Sequence, residues 1–211
     1  QAGTDTLSSV AHTLTWDHRD SRTEPTGGYY LKFGNEVAGA GGDDKFLRNT
    51  VGAGTFFKVA DQSVLMFSGT GGYIVPLEDS SIRINQRYFL GGDTLRGFKD
   101  AGVSPRDAVT NDALGGLWDY TGTAELTFPL GVPKELGIQG KLFTDVGAIG
   151  GVDKSIVASD ITQSTQLRMS IGTGVVWKSP MGPINVDLGF PIMRDSHDET
   201  QIFRLNFGTR F

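Results

Sequence analysis

Cysteine is absent from the 211 residues, and histidine occurs only three times. Without thiols there is no disulfide framework and no thiolate metal site, and His12, His18 and His197 stand in no metal-binding spacing such as H-E-x-x-H. No apolar run reaches 18 residues, which excludes a helical membrane span but not a membrane barrel, whose strands are only half apolar. An excess of basic charge is also missing. The net charge is −5, from 19 Lys and Arg against 24 Asp and Glu, which argues against general nucleic-acid binding. No collagen-like period runs through the 30 glycines, and an aromatic content of 10% is too high for a disordered acidic chain. No signal peptide precedes Gln1, so an exported protein is expected to be read here in mature or truncated form.

Enzymatic constellations are equally scarce. Ser8-Ser9 near His12 forms no recognisable nucleophile motif. Gly39-Ala40-Gly41-Gly42 and Gly172-Thr173-Gly174 lack the strand-to-helix context of a phosphate loop. Asp17-His18-Arg19-Asp20 reads as a solvated turn, and Asp43-Asp44, Asp195, Asp198 and Glu199 read as loop acids. The expectation is a protein that is not an enzyme, with no catalytic residues, no metal and no cofactor.

What is present is period-two alternation. Phe203, Leu205, Phe207, Thr209 and Phe211 share one face, with Arg204, Asn206, Gly208 and Arg210 between them. Leu167, Met169, Ile171, Thr173, Val175 and Trp177 oppose Arg168, Ser170, Gly172, Gly174 and Lys178. Tyr120, Gly122, Ala124, Leu126 and Phe128 oppose Asp119, Thr121, Thr123, Glu125 and Thr127. Ile138, Leu142 and Val146 oppose Gln139, Lys141, Asp145 and Gly147. Nine candidate strands follow, at 8–17, 28–39, 46–59, 62–75, 116–129, 136–149, 165–178, 183–191 and 200–211.

Tight connections at 59–62, 129–133 and 179–183 alternate with longer polar links at 39–45, 76–115, 150–164 and 193–199. Short turns on one side and long loops on the other are the organisation of an up-and-down membrane barrel. The ten-residue 18–27 link, on the short-turn side, is the exception. A soluble sandwich also alternates, but its apolar face is buried. Here that face is rich in Gly, Ala and Thr and ends in Trp16, Tyr29, Trp118, Tyr120, Phe128, Trp177, Phe190 and Phe211, as lipid-interface girdles do. The fold expected is all-β, an antiparallel transmembrane barrel forming a single unit over 1–211. The 76–115 link is expected to be a long extracellular loop that folds into the lumen.

In the middle of that longest link lies Gly91-Gly92-Asp93-Thr94-Leu95-Arg96-Gly97-Phe98. An arginine flanked by glycines and followed by an aromatic looks tethered rather than solvated. With Phe89-Leu90 before it, the stretch resembles the long-loop motif of BamA-type outer-membrane assembly proteins, whose core is Arg-Gly-Phe or Arg-Gly-Tyr after a Gly-Gly pair. Asp112-Ala113-Leu114-Gly115-Gly116, Ala124-Glu125-Leu126-Thr127-Phe128-Pro129, Phe143-Thr144-Asp145-Val146-Gly147 and Trp177-Lys178-Ser179-Pro180-Met181-Gly182-Pro183-Ile184 resemble later stretches of the family, in the same order. The resemblance runs from about residue 10 to the end.

It implies an insertase that folds other β-barrel proteins into the outer membrane of Gram-negative bacteria. The family's barrel has sixteen strands behind periplasmic POTRA domains. This chain would be the C-terminal part, lacking those domains, the first barrel half and the first strand, and inactive alone. A truncated set is expected to close into a smaller barrel, of eight strands rather than nine, with 8–17 frayed or differently paired. The resemblance also places Arg96 inside the barrel against Glu125 and Asp145, which the alternation independently sets on the polar face. Gly91, Gly92 and Gly97 would let the loop fold back sharply, and Phe98 would wedge against the wall. Phe203, Leu205, Phe207 and Phe211 mark a terminal edge strand able to add to another sheet, with the C-terminus periplasmic. Implied partners are outer-membrane lipid and lipopolysaccharide, nascent outer-membrane β-barrel proteins and, through the missing domains, accessory assembly lipoproteins. A two-partner secretion or translocation-assembly transporter of the same superfamily, and a passive structural barrel, are the alternatives.

Overall fold

The computed structural model describes residues 6–78, 80–153, 156, 161–162, 164–179 and 182–208. Its frame is one antiparallel sheet of nine strands in sequence order. They are β1 (Ser9–Asp17), β2 (Gly28–Ala38), β3 (Phe46–Ala60), β4 (Ser63–Pro76), β5 (Trp118–Pro129), β6 (Ile138–Gly150), β7 (Arg168–Ser179), β8 (Gly182–Met193) and β9 (Phe203–Phe207). Each follows a segment of alternating side chains, since only a strand sends successive side chains to opposite faces.

One face carries Leu14, Trp16, Leu31, Phe33, Val51, Phe57, Phe67, Tyr120, Leu142, Ile171, Trp177, Phe190 and Leu205, all exposed. So large an apolar surface is stable only against lipid or another apolar body. On β5, outward Tyr120 and Phe128 are eight positions apart, about 26 Å of strand, or about 20 Å of height at a barrel strand's usual tilt. That is close to the apolar band of a membrane barrel. No helix among the described residues is long and apolar enough to cross a membrane.

The other, inner face is polar and covered by the long β4–β5 link. Its charges pair across strands: Arg48 Nη1 donates to Glu36 at 2.7 Å, and Lys141 Nζ lies 2.8 Å from Asp187. The sheet curls around this face. Glu24, in the β1–β2 link, reaches Lys178 at the end of β7, 2.9 Å away, although five strand spacings separate β2 from β7. Most of that link is exposed, His18 and Asp20 included, as the sequence suggested, but Asp17 and Arg19 are partly covered. Arg19 is 8% exposed, holds Asp17 at 2.9 Å and lies over the Tyr30 ring.

The strand count is nine, the larger of the two expected values. Segment 8–17 is not frayed, for Ser9–Asp17 pairs with Tyr30–Ala38 at every position. Among the described residues β1 and β9 do not pair, so the sheet stays open. Packed over the inner face, Phe46, Ile74, Ile82, Leu90, Leu95, Phe98 and Phe143 are all buried. The last strand is also shorter than the pattern suggested. Thr200 and Gln201 pair instead with Phe98 and Gly97 of the long link, and among the described residues the β8–β9 ladder runs from Ile184 to Leu188.

Candidate functional site

The β4–β5 link folds into a compact body on the inner face. Its backbone bridges pair Tyr88 with Gly116 and Leu90 with Val103. Leu90, Leu95, Phe98 and Val103 close over Ile149 of β6 as a small apolar core. Ile82 joins a second core with Ala38, Phe46 and Ile74. Burial of these side chains, about 1.5–3 kcal/mol for each large one, lets a link of this length hold one conformation.

Arg96 occupies the centre and is 1% exposed. Its Nε and Nη2 donate to Asp145 at 2.7 and 2.8 Å, its backbone N–H donates to the same carboxylate at 3.2 Å, and Nη1 donates to Glu125 at 2.5 Å. The planar fork serves two acids on neighbouring strands, which an ammonium cannot do with fixed geometry. Burial opposes the charge of Arg96, but the bonds and charges of Asp145 and Glu125 prevail and hold its pKa above the ordinary value. Thr123 Oγ1 donates to Asp145 at 2.8 Å. The guanidinium carbon lies 3.4 Å from the centre of the Phe143 ring, a desolvated cation–π contact.

The glycines make this approach possible. Gly91, Gly92 and Gly97 have φ of 122°, 62° and 93°, a region costly to other residues. A Cβ on Gly97 would lie 3.3 Å from the Gly189 carbonyl of β8, and one on Gly189 would lie 2.6 Å from Gly97 N. The loop backbone therefore rests directly on β8, while its arginine reaches β5 and β6.

The structure thus brings Arg96, Glu125 and Asp145 together, with Gly91, Gly92 and Gly97 at the turns and Phe98 in the loop core. Phe203, Leu205 and Phe207 point outward along β9 and are exposed. Phe211 and Arg210 lie outside the described residues. Several supports escaped the sequence reading. Phe143 sits on the inner face between Lys141 and Asp145, where its parity puts it, and its ring serves as the platform for Arg96. Asp187 lies 4.0 Å from Arg96 Nη1 and beside Lys141, which also donates to Asn185 at 2.8 Å. Two further buried loop arginines act as anchors. Arg87 donates to the Ile82 and Leu114 carbonyls and lies 3.7 Å from Asp153. Arg106 lies 3.0 Å from Glu199, whose pKa is lowered by its hydrogen bond from Lys99 and by the charge of Arg106. In sequence Arg96 was set apart from these two by its glycine and aromatic neighbours and by the family resemblance of that stretch.

Under the loop a hollow of about 980 Å³ is bordered by hydroxyls and amides such as Ser68, Thr70, Thr121, Gln139 and Asn185 and by apolar Phe56, Val64, Met66, Ile138 and Val176. Among the described residues no group of three or more His, Asp or Glu could hold a metal ion. The charges of the site are bonded to one another and fasten the loop to the sheet.

Comparison with known proteins gives a consistent pattern. The family model of the Omp85 superfamily domain matches residues 1–211. The chain is 37% identical over 211 residues to the outer membrane protein assembly factor BamA of Neorickettsia risticii, covering all of this chain and 28% of that protein. It is 31% identical to the outer membrane protein assembly factor BamA of Nitratidesulfovibrio vulgaris, over 97% of this chain and 26% of that protein. The crystal structure of BamA from Haemophilus ducreyi lacking POTRA domains 1–3 superposes with a TM-score of 0.81 at 19% identity, over 93% of this chain and 41% of that one. The chain therefore spans roughly a quarter of the length of these curated relatives.

Proposed function

The chain belongs to the Omp85 superfamily, and from that premise we propose that it is the C-terminal barrel portion of an outer-membrane assembly insertase that folds and inserts β-barrel proteins. The observation that carries this reading is the 37% identity, over the entire chain, to a protein named as an outer membrane protein assembly factor. Relatives outside bacteria support it over a secretion transporter, since they include the human sorting and assembly machinery component 50 homolog, 33% identical over 145 residues.

In this reading the exposed apolar face meets outer-membrane lipid and lipopolysaccharide, and the long β4–β5 loop enters the lumen from the extracellular side. The C-terminus is then periplasmic, and accessory lipoproteins engage regions beyond these residues. The protein works without covalent chemistry. A strand edge offers backbone hydrogen bonds to an incoming strand, and the docked arginine stiffens the wall beside that edge. Arg96, Gly91, Gly92, Gly97, Phe98, Glu125 and Asp145 are the loop anchor. Phe203, Leu205, Phe207 and Phe211 belong to the terminal edge.

Depletion of the intact protein in its host tests this. Loss of outer-membrane β-barrel proteins as a group is the expected result. Loss of a single secreted partner, or altered solute permeability alone, would refute it.

A further inference from the structure

The terminal strand has two partners. Its lower part, Phe203–Phe207, pairs with β8, whereas Thr200 and Gln201 pair with the loop at Phe98 and Gly97. Just beyond this divergence Arg204 turns to the inner face, 13% exposed at its side chain, and binds two loop acids: Asp93 at 3.1 Å through Nη1 and Asp100 at 2.8 Å through Nη2. These acids stand on either side of Arg96 in the chain. The loop backbone is fastened to the same segment by Lys99 N to Glu199 O at 2.9 Å and Glu199 N to Gly102 O at 3.0 Å. Gly92 makes the junction possible. A Cβ there would overlap the Asp100 carboxylate and lie 2.9 Å from Arg204 Nη2.

We propose that Arg204 is a positioning residue that latches the terminal strand to the loop around Gly92, so that the exposure and register of the β9 edge follow the docked state of the loop. The inference rests on the functional reading above, in which that edge meets an incoming strand. The geometry behind it is specific. One guanidinium grips both shoulders of a tight turn whose next arginine, Arg96, is fixed to β5 and β6. Loop and terminal strand therefore move as a unit, and releasing either loosens the other. Without the latch the upper end of β9 would keep the two-residue ladder, the Glu199 contacts and the bond from Gly189 N–H to the Ile202 carbonyl.

Hydrogen exchange on the intact protein in liposomes tests the latch separately from activity. In Arg204→Ala, amides 200–207 and 92–100 should exchange about five- to tenfold faster, as expected from losing two partly exposed charge-assisted bonds, while amides 118–150 stay at the parental rate. Arg204→Lys should recover part of the protection. Arg204→Asp should be at least as loose as Arg204→Ala, and Arg204→Asp with Asp93→Arg and Asp100→Arg should regain it. Unchanged exchange at both segments, or uniform acceleration over the whole sheet with no recovery in the reversed set, overturns the latch. Client-barrel folding by the parental protein in the same liposomes separates the two claims. Parental folding activity with an unaltered Arg204→Ala exchange map defeats the latch alone, and an inactive parent with the localised exchange pattern defeats the functional reading alone.

Discussion

Removing the Arg96 side chain should undock the loop while the sheet persists. Asp145 would remain buried with the Thr123 hydroxyl and the residue-96 backbone N–H as its surviving donors. Breaking one side of a buried ion pair costs about 3–5 kcal/mol. Glu125, 16% exposed at its side chain, can recover water, and the two surviving donors soften the loss. The lower range of about 2–4 kcal/mol is therefore expected for Arg96→Ala, equivalent to a ~30- to 900-fold shift in the loop's local opening. Hydrogen exchange over residues 88–106 of the intact protein in liposomes reads this directly, with heat-modifiable migration as a second measure. Adding Asp145→Asn should recover about 1–2 kcal/mol, because an amide tolerates the vacated site better than an unpaired carboxylate. If exchange in Arg96→Ala stays within about twofold of the parent, an effect under ~0.5 kcal/mol, or if Asp145→Asn brings no recovery, the central role given to the buried pair is wrong.

Other consequences are as concrete. Gly172→Ala, on the facing strand β7, would place a Cβ against the Phe143 ring and the Leu188 carbonyl. It should unseat the stacked guanidinium and prove strongly non-additive with Arg96→Ala in urea unfolding. Glu199 has a folded-state pKa below its ordinary 4.5. Its tie to Lys99 and Arg106 is thus fully present above pH 4.5 and is lost as the pH falls through the lowered value. Protease cleavage in 193–202 should accordingly be flat from neutral pH down to about 4.5 and rise only below it, whereas a rise near pH 6–7 would contradict this assignment. A polypeptide limited to these 211 residues should insert into liposomes without accelerating the folding of a client barrel, and measurable acceleration would show that the remaining barrel is dispensable.

Much of the frame was legible because a lipid-facing sheet imposes a strict period of two, and most strand ends fall within a few residues of those read from alternation. The terminal segment was misread for a physical reason. Thr200 and Gln201 are as extended as a strand of the sheet, and nothing in their side chains says that their partner is the loop. Phe143 was hidden in role rather than in place: its parity with Lys141 and Asp145 already turns it inward, but nothing in the pattern says that a guanidinium lies on its ring, with Gly172 supplying the room. Arg87 and Arg106 carried no signal, since their partners Asp153 and Glu199 come from links distant in sequence. Arg96 was readable as tethered because glycines with positive φ at fixed offsets leave a trace that a side-chain contact does not, while its partners were supplied by the family resemblance and by the parity of Glu125 and Asp145.

The β1–β2 link has a bearing on how the sheet keeps its curl. Thr23, Glu24, Pro25 and Thr26 border the same hollow that Thr94 and Arg96 border, and Glu24 is moored to Lys178 across it. A segment between two early strands is thereby tethered to the far end of a later one, so a fault in this tether should be felt at the opposite wall.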